Sequence, residues 1–503
     1  MKRYRKVTML LPAVLLVMLL SACGGGKNTD GEKIYTSIDD LKYAKVGTLL
    51  GSCHVNYVQT DLPTADLKQF DSHPDGLEAL RLGKIDAYVQ DDIEYKMASA
   101  DDPALCLLAS WHPAQVAFAF PKVGGASLKD EVNEFLRQKK ASGAIDSLYD
   151  KWINHVETAQ MPEERPLSKG SRVIKVGFAP LSYGVNFVRE GRPAGYEIEL
   201  VELFAAEHGY GVEFKNINFG GIIAALSSGM IDMAACSMNV TEERKEKVDF
   251  SDTYLDNCSY VIINSKNAPD SLKKNVAPVE EKNFWERTKE GFVKNLVVEN
   301  RYRLIVDGLW NTLVISLCAI MLGALLGAGV CAMRMSRQGW LRGIAKTYID
   351  IVRGIPVLVL LMLLFYVAFA KSSMSAVVVA VIAFSINFSA YVSEMFRSSI
   401  EAIDRGQTEA ALASGFKPVQ AFRYVVLPQA VKRVLPVFKG EAVSLFKNTS
   451  VVGYIAVQDL TKASDIIRSC TFDAFFPLIV ISIIYFLLAW ALGKLLDVLG
   501  NRI

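Results

Sequence analysis

Hydrophobic and polar positions follow two different rhythms along this chain, and the change between them falls near residue 300. Before that point, short apolar stretches alternate with amphipathic ones. The first run predicts strands at 45–49, 87–89 and 116–120 and helices at 77–81 and 128–139. A second run predicts strands at 173–177, 212–215 and 233–235 and helices at 197–207 and 222–228. Short apolar runs bounded by turns suit buried strands, and a 3.6-residue recurrence suits helices. Their alternation predicts α/β layers around a largely parallel sheet.

Beyond residue 300, apolar runs occupy 309–333, 355–370, 376–395, 434–457 and 475–499. Several approach the roughly 20 residues that a membrane-crossing helix needs, so the pattern predicts five spans, the fourth interrupted by charges. Arg334, Arg337, Arg342, Lys346 and Arg353 follow the first run, and Arg397, Arg405, Lys417, Arg423, Lys432 and Arg433 follow the third. Basic residues beside spans are retained in the cytoplasm, so five spans running from outside to inside export everything before residue 300. The N-terminus agrees: Lys2, Arg3, Arg5 and Lys6, an apolar stretch at 7–20, then Leu20-Ser21-Ala22-Cys23. A basic start, a short apolar core and small residues before a cut describe a secretory signal. Residues 1–22 are expected to be removed, with lipid on Cys23 and 23–32 as a flexible tether, because the cut resembles a bacterial lipobox.

One mostly polar segment, 390–429, lies between long apolar runs. Residues 399–413 are rich in helix formers with one interruption at Gly406, Gly415 permits a backbone turn that a side chain would block, and 416–426 resumes an amphipathic pattern that Pro428 ends. Helix, glycine turn and helix on the cytoplasmic side describe a loop that can enter a groove on a partner.

Composition adds exclusions. Hydrophobic residues make up 51% of the 503, with a mean hydropathy of +0.23, so part of the chain belongs in lipid. A formal net charge of +2 makes no case for nucleic acid. The eight cysteines and five histidines fit no zinc or haem spacing. An exported pair such as Cys106 with Cys258 is compatible with a disulfide, and equally with buried thiols. No G-x-x-x-x-G-K-[ST] phosphate loop and no supported nucleophile–base arrangement occurs, so the chain is not expected to be an enzyme or to hold ATP itself.

The polar segment carries a resemblance. Glu409, Ala410, Ala411, Gly415 and Leu427-Pro428 resemble the EAA coupling loop of ABC-transporter permeases. Ala390-Tyr391, Glu394, Arg397, Gly406-Gln407, Gln429, Arg353-Gly354-Ile355-Pro356 and Lys447-Asn448-Thr449-Ser450 are similar to the polar amino-acid uptake subfamily, with Asn448 where Asp is usual. The resemblance implies that residues 301–503 form an all-α permease domain. Its expected partners are a cytoplasmic dimer of ATPase subunits that bind ATP and magnesium, and a second permease copy.

The exported part resembles the two-lobed extracytoplasmic binding proteins of the same transporters, in reversed order. Residues 33–155, with Gly51-Ser52, Gly83-Lys84-Ile85-Asp86-Ala87 and Lys151-Trp152, look like the second lobe plus the C-terminal tail. Residues 172–266, with Gly195-Tyr196-Glu197-Ile198-Glu199-Leu200, Thr241-Glu242-Glu243-Arg244 and Asp249-Phe250-Ser251, look like the first. The implied architecture is an α/β two-lobed periplasmic-binding-protein-like domain of type II with its lobes permuted, followed by the five-span permease. Residues 156–171 would join the old ends, and 267–300 would lead into the membrane through an interfacial helix. The alternative is two half-domains that a neighbouring chain completes.

An amino-acid ligand offers a carboxylate and an ammonium. The resemblance implies Arg244 for the carboxylate, where a guanidinium makes a bidentate pair, and Asp91 for the ammonium. Cys236, Ser237 and Asn239 would supply donors, Ser52 and Cys53 a helix start near the carboxylate, and Tyr183 and Phe219 the walls. Taken from residue types alone, Arg244 is equally a charged helix face and Asp91 a solvated turn. Phe178-Ala179-Pro180 stands where relatives commonly carry an Asp that meets the ligand side chain, which argues against a basic amino acid without selecting among glutamine, glutamate, cystine or others; a glutamine-like or glutamate-like ligand is the expectation. The expected location is a bacterial cytoplasmic membrane, multi-pass, with the clamp outside and lipid-anchored. A rival reading is an amino-acid-gated receptor or channel built on the same clamp.

Overall fold

The computed structural model describes residues 33–100, 102–163, 171–273, 283–369, 372 and 374–500. The expected signal peptide, Cys23 and tether lie outside the described residues. Along the chain the strands are β1 (Lys45–Leu49), β2 (Asp66–Phe70), β3 (Ala87–Asp91), β4 (Leu105–Val116), β5 (Ala119–Pro121), β6 (Val173–Phe178), β7 (Phe187–Arg189), β8 (Arg192–Ala194), β9 (Gly211–Asn216), β10 (Met233–Ala234), β11 (Val248–Phe250) and β12 (Leu255–Asn264). They form two five-stranded sheets and a hairpin. One sheet has the order β2-β1-β3-β12-β4, the other β11-β5-β10-β6-β9, and β7 pairs with β8.

Each sheet is the core of a lobe, here lobe A and lobe B, and each takes one strand from the other half of the sequence. The chain passes from β4 in lobe A to β5 in lobe B, and from β11 in lobe B to β12 in lobe A. The stretch expected as one strand at 116–120 is therefore cut at the crossing. The two crossing segments bond to each other: the Phe118 amide donates to Ser251 Oγ at 3.0 Å, and the Ser251 amide to the Phe118 carbonyl at 2.9 Å. Incoming strands enter from the opposite end, so β12 is antiparallel to β3 and β4, and β5 to β10 and β11. The sheets are mixed, where the sequence pattern suggested largely parallel ones.

Helices α1 (His54–Asp61), α2 (His73–Arg81) and α3 (Asp92–Ala98) belong to lobe A. Helices α4 (Ala126–Ala141), α5 (Ala144–Tyr149), α6 (Tyr196–His208) and α7 (Glu242–Lys247) belong to lobe B. Gly195 starts α6 at φ 124°, where an added Cβ would stand 2.4 Å from the Val185 carbonyl oxygen, so only glycine fits the turn. Just beyond α5, the fully buried Trp152 donates its indole N–H to Glu199 on α6 at 2.6 Å, seating the α4–α5 layer on lobe B. Cys106 faces Ile263 across the strands while Cys258 faces Pro113, so the two thiols stand far apart along the β4–β12 pairing and no disulfide joins them.

The C-terminal half is helical: α8 (Tyr302–Arg334), α9 (Gly339–Gly354), α10 (Val357–Leu363), α11 (Ala376–Glu401), α12 (Arg405–Ala413), α13 (Leu427–Asn448), α14 (Leu460–Thr471) and α15 (Phe476–Gly500). Among the described residues α8, α11 and α15 are long and apolar enough to cross a membrane, and α9 with the segment Val357–Ala368 forms one further candidate bent by 104°. The bend falls at Gly354-Ile355-Pro356, where the proline cannot donate to a continuing helix. The run expected as a fourth span, 434–457, lies on α13, which holds Pro436, and on the 3₁₀ turn Thr449–Ile455.

Candidate functional site

Where the lobes meet, the lining side chains leave a cavity of about 30 Å³. Eight of the nine residues expected at a ligand site line it: Ser52, Cys53 and Asp91 from lobe A, and Phe219, Cys236, Ser237, Asn239 and Arg244 from lobe B. Tyr183 does not. Its hydroxyl bonds Glu299 at 3.3 Å and accepts from Arg189 at 3.4 Å, facing the permease side.

Arg244 sits in the first turn of α7, where the Thr241 hydroxyl caps its amide at 3.3 Å. The side chain is 8% exposed. Its guanidinium donates to the Asn239 carbonyl at 2.8 Å and, across the gap, to the Gly51 carbonyl at 3.0 Å, and lies 5.4 Å from the Phe219 ring centre. Both acceptors are neutral, so a carboxylate arriving here could replace them with a bidentate pair between opposite charges. Gly51 takes φ 76°, a left-handed turn that favours glycine, and this turn presents its carbonyl to Arg244.

Asp91 ends β3. It accepts from Asn239 Nδ2 at 3.2 and 3.3 Å, and its Oδ1 lies 3.1 Å from His54 Nε2. Burial pushes the Asp91 carboxyl up, but the His54 ring, the Asn239 amide and His73 outweigh it and hold the group below the usual carboxylate range. Asn239 thus stands between the cation and the anion, with its carbonyl on Arg244 and its amide on Asp91.

The remaining expected donors turn inward. Ser52 Oγ donates to the Leu49 carbonyl at 2.7 Å. Ser237 adopts φ 51° and sends its amide to Glu197 at 2.8 Å rather than to the cavity. Glu197 is fully buried, also accepts from Asn186 at 2.8 Å and Tyr254 at 2.5 Å, and is pushed up by burial in spite of these donors. Burial likewise pushes up the Cys53 and Cys236 thiols, so neither is a ready nucleophile.

Sequence reasoning missed His54, His73, Glu94 and Ser182, all in the lining. The histidines had been set aside for lacking metal spacing, although His54 directly follows the expected Ser52-Cys53 turn. His73 bonds Tyr88 at 3.1 Å and burial lowers it to about 4. Burial, then the charge of Asp91, raises Glu94 to about 8. His54 Nδ1 and Glu94 Oε2 have no hydrogen-bond partner among the described residues. Buried polar atoms of this kind cost roughly 1–3 kcal/mol each, a cost that a polar ligand relieves.

The polar segment 390–429, expected as a coupling loop, has the opposite character. Helix α11 stops at Glu401, and Asp404 caps α12 by accepting the Gly406 amide at 2.6 Å, so the single helix expected over 399–413 is two. Glu409 and Ala410 are exposed, Ala411 is buried beneath them, and Gly415 turns the chain at φ 87°. Pro428 does not end the amphipathic pattern. It lies at the start of α13, and the π-helical turn Phe422–Val426 runs directly into it through Leu427, so the helix continues across the proline. Leu412, Phe416, Val419, Phe422 and Tyr424 are all exposed apolar side chains on this face.

Comparison with known proteins gives two family matches. Residues 319–503 match the binding-protein-dependent transport system inner membrane component, and residues 189–267 match the ligated ion channel L-glutamate- and glycine-binding site. A probable amino-acid ABC transporter permease of Bacillus subtilis is 33% identical over 211 residues, 42% of this chain and 91% of that relative. A probable glutamine ABC transporter permease of the same organism is 30% identical over 209 residues, 41% of this chain and 96% of the relative. A putative glutamine transport system permease of Rickettsia felis is 30% identical over 200 residues, 39% and 92% of the two chains.

Proposed function

The chain belongs to the family of binding-protein-dependent transport system inner membrane components, and we propose that its clamp captures a polar amino acid, glutamine-like or glutamate-like, for its own permease. It is a permease with a fused solute-binding domain, and ATP hydrolysis belongs to a separate subunit. The observation that carries the ligand class is the pairing of a buried guanidinium and a buried carboxylate across one cavity. Arg244 takes the α-carboxylate and Asp91 the α-ammonium. The cavity is far smaller than an amino acid, so the lobes part to admit the ligand and its two charges replace the Gly51 and Asn239 contacts on closing.

The clamp is one circularly permuted binding protein. Supporting this, the Tyr35 amide bonds the Asn267 carbonyl at 2.9 Å and Asn267 Nδ2 bonds the Lys33 carbonyl at 2.8 Å, so the clamp's entry and exit lie side by side where an unpermuted chain would run straight through. Nearby ends make permutation tolerable. The exchanged strands β5 and β12 also favour completion within one chain over completion by a neighbour.

The permease crosses the cytoplasmic membrane five times, with α13 and its 3₁₀ extension as the fourth crossing, and a lipid on Cys23 anchors the exported clamp. Two copies form the pathway, and an ATPase dimer carrying ATP and magnesium grips the exposed face around Glu409, Ala411, Gly415 and Leu427. A gated receptor has no use for this segment. The test is calorimetry of the full-length protein with each polar amino acid, beside uptake into proteoliposomes containing the ATPase. Hundredfold excess over Kd adds about 2.7 kcal/mol to clamp stability. Stabilisation by glutamine or glutamate is expected, and its absence with every polar amino acid sinks the ligand class.

A further inference from the structure

We propose that one permease helix, α14, grips both lobes of its own chain's clamp, so that the docking unit is one closed clamp on one permease in cis, and lobe A is the lobe that leaves on opening. This rests on the fused-importer reading and adds the docking surface, its stoichiometry and the moving part.

Along α14 the contacts alternate between lobes. The Lys462 ammonium donates to Asn218 Oδ1 of lobe B. Arg468, 4% exposed, pairs with the Asp75 carboxylate of lobe A, and is held from behind by the Ala474 carbonyl at 3.1 Å and Asp465 at 3.3 Å. Cys470 enters the core of lobe B, and Phe472, which ends the helix at φ 52°, packs against the Leu77–Leu80 cluster of lobe A. From Lys462 to Phe472 the helix rises only about 15 Å. A rigid rod joined to both lobes at fixed spacing cannot follow them apart. Opening must break one side, and on the lobe A side that gives up the Arg468–Asp75 pair and leaves the buried guanidinium only Asp465 and the Ala474 carbonyl. The helix therefore interacts more favourably with the closed clamp than with the open one.

The contacts adjoin the ligand cavity. Asn218 precedes Phe219, whose ring faces Arg244, and Asp75 stands two residues after His73 in the first turn of α2. At its other end α14 is fixed to the membrane helices. The Leu460 amide bonds Thr312 on α8 at 3.2 Å, Thr461 meets Tyr485 on α15 at 3.1 Å, and Gly308 lets α8 approach so closely that an added Cβ would stand 2.5 Å from the Asp459 carbonyl oxygen. Lobe B has further ties to the segment before α8, through Arg189 to Glu299 at 2.7 Å and Glu190 to Asn300 at 3.1 Å. The Arg468–Asp75 side is thus the one placed to release.

The test is hydrogen exchange on the full-length protein in nanodiscs, without ligand, for Arg468→Glu, for the swap Asp75→Arg with Arg468→Glu, and for the milder Lys462→Gln. Arg468→Glu is expected to raise exchange in 73–81 at least tenfold while 196–208 stays protected, and the swap to restore it. Lys462→Gln, which loses only a lobe B contact, is expected to leave 73–81 protected; unchanged exchange in 73–81 for Arg468→Glu, or equal loosening of both lobes, overturns the proposal. Because no ligand is present, a wrong ligand class leaves this result untouched. For the cis claim, Arg244→Ala and Arg468→Glu chains are reconstituted together. No recovery of glutamine uptake is expected, and recovery means that clamps dock on the neighbouring permease.

Discussion

The cavity between the lobes and the segment around Glu409, proposed as ligand site and coupling surface, put their side chains in opposite physical settings. The cavity gathers side chains from positions 49 to 244 into a small space, where one cation and one anion are held by partners that a ligand can replace. The coupling segment is continuous from Arg405 to Pro428, largely exposed, and has its apolar side chains turned outward. A site that must discriminate small molecules gains from a low dielectric, where each unpaired polar atom is costly. A site that must receive force gains from a stiff surface that another protein covers, and exposed apolar patches are the mark of such a surface.

The sharpest way to break this contrast is Arg244→Ala. Truncating one partner of a buried charge pair costs roughly 2–5 kcal/mol, so Kd by calorimetry should rise at least about thirtyfold. A change under tenfold means that the carboxylate is bound elsewhere. Next in size is Gly415→Val, which forces a β-branched residue into the left-handed region at a cost of at least about 1–2 kcal/mol. Uptake should fall roughly tenfold with Kd unaltered, because the segment does not touch the cavity; a matching loss of affinity would dissolve the distinction between the two regions.

Acid–base behaviour sharpens the comparison further. Glu94, raised to about 8, stays protonated in the fold while the unfolded chain releases its proton near pH 4.5, so it lowers stability progressively as pH rises through that window. His73, lowered to about 4, acts in the opposite sense, costing stability as pH falls from 6.5. The two offset each other below pH 6.5, and Glu94 alone remains above it. Melting of Glu94→Gln protein should therefore lose the decline between pH 6.5 and 8, a slope of about 1.4 kcal/mol per pH unit, whereas an unchanged slope would place the titrating group elsewhere. The smallest effect is expected from Tyr183→Phe. It removes a hydroxyl bonded to Glu299 and should cost about 0.5–1.5 kcal/mol of stability without moving Kd, while a change in Kd would return Tyr183 to the ligand wall.

The structure also explains which readings failed. Val116 to Phe120 has the composition of one strand, and only the crossing between lobes, bonded through Phe118 and Ser251, divides it. Residues 399–413 have uniform helix propensity, and a three-residue break appears because Asp404 caps a new helix and Arg433 holds the Ala402 carbonyl at 2.6 Å. His54 and Glu94 carry no local signature. They matter because α1 and α3 bring them to one gap.

By itself the sequence determined the division near residue 300, the apolar helices and the polar segment set between them, because each is written in neighbouring residues or in a local period. Only the tertiary structure decided that β5 and β12 exchange sheets, that Asn239 stands between the two charges, that Tyr183 faces the permease, and that α14 touches both lobes. Those depend on which distant surfaces come together, and helix and strand periodicity reports which face of an element is buried but not what it is buried against.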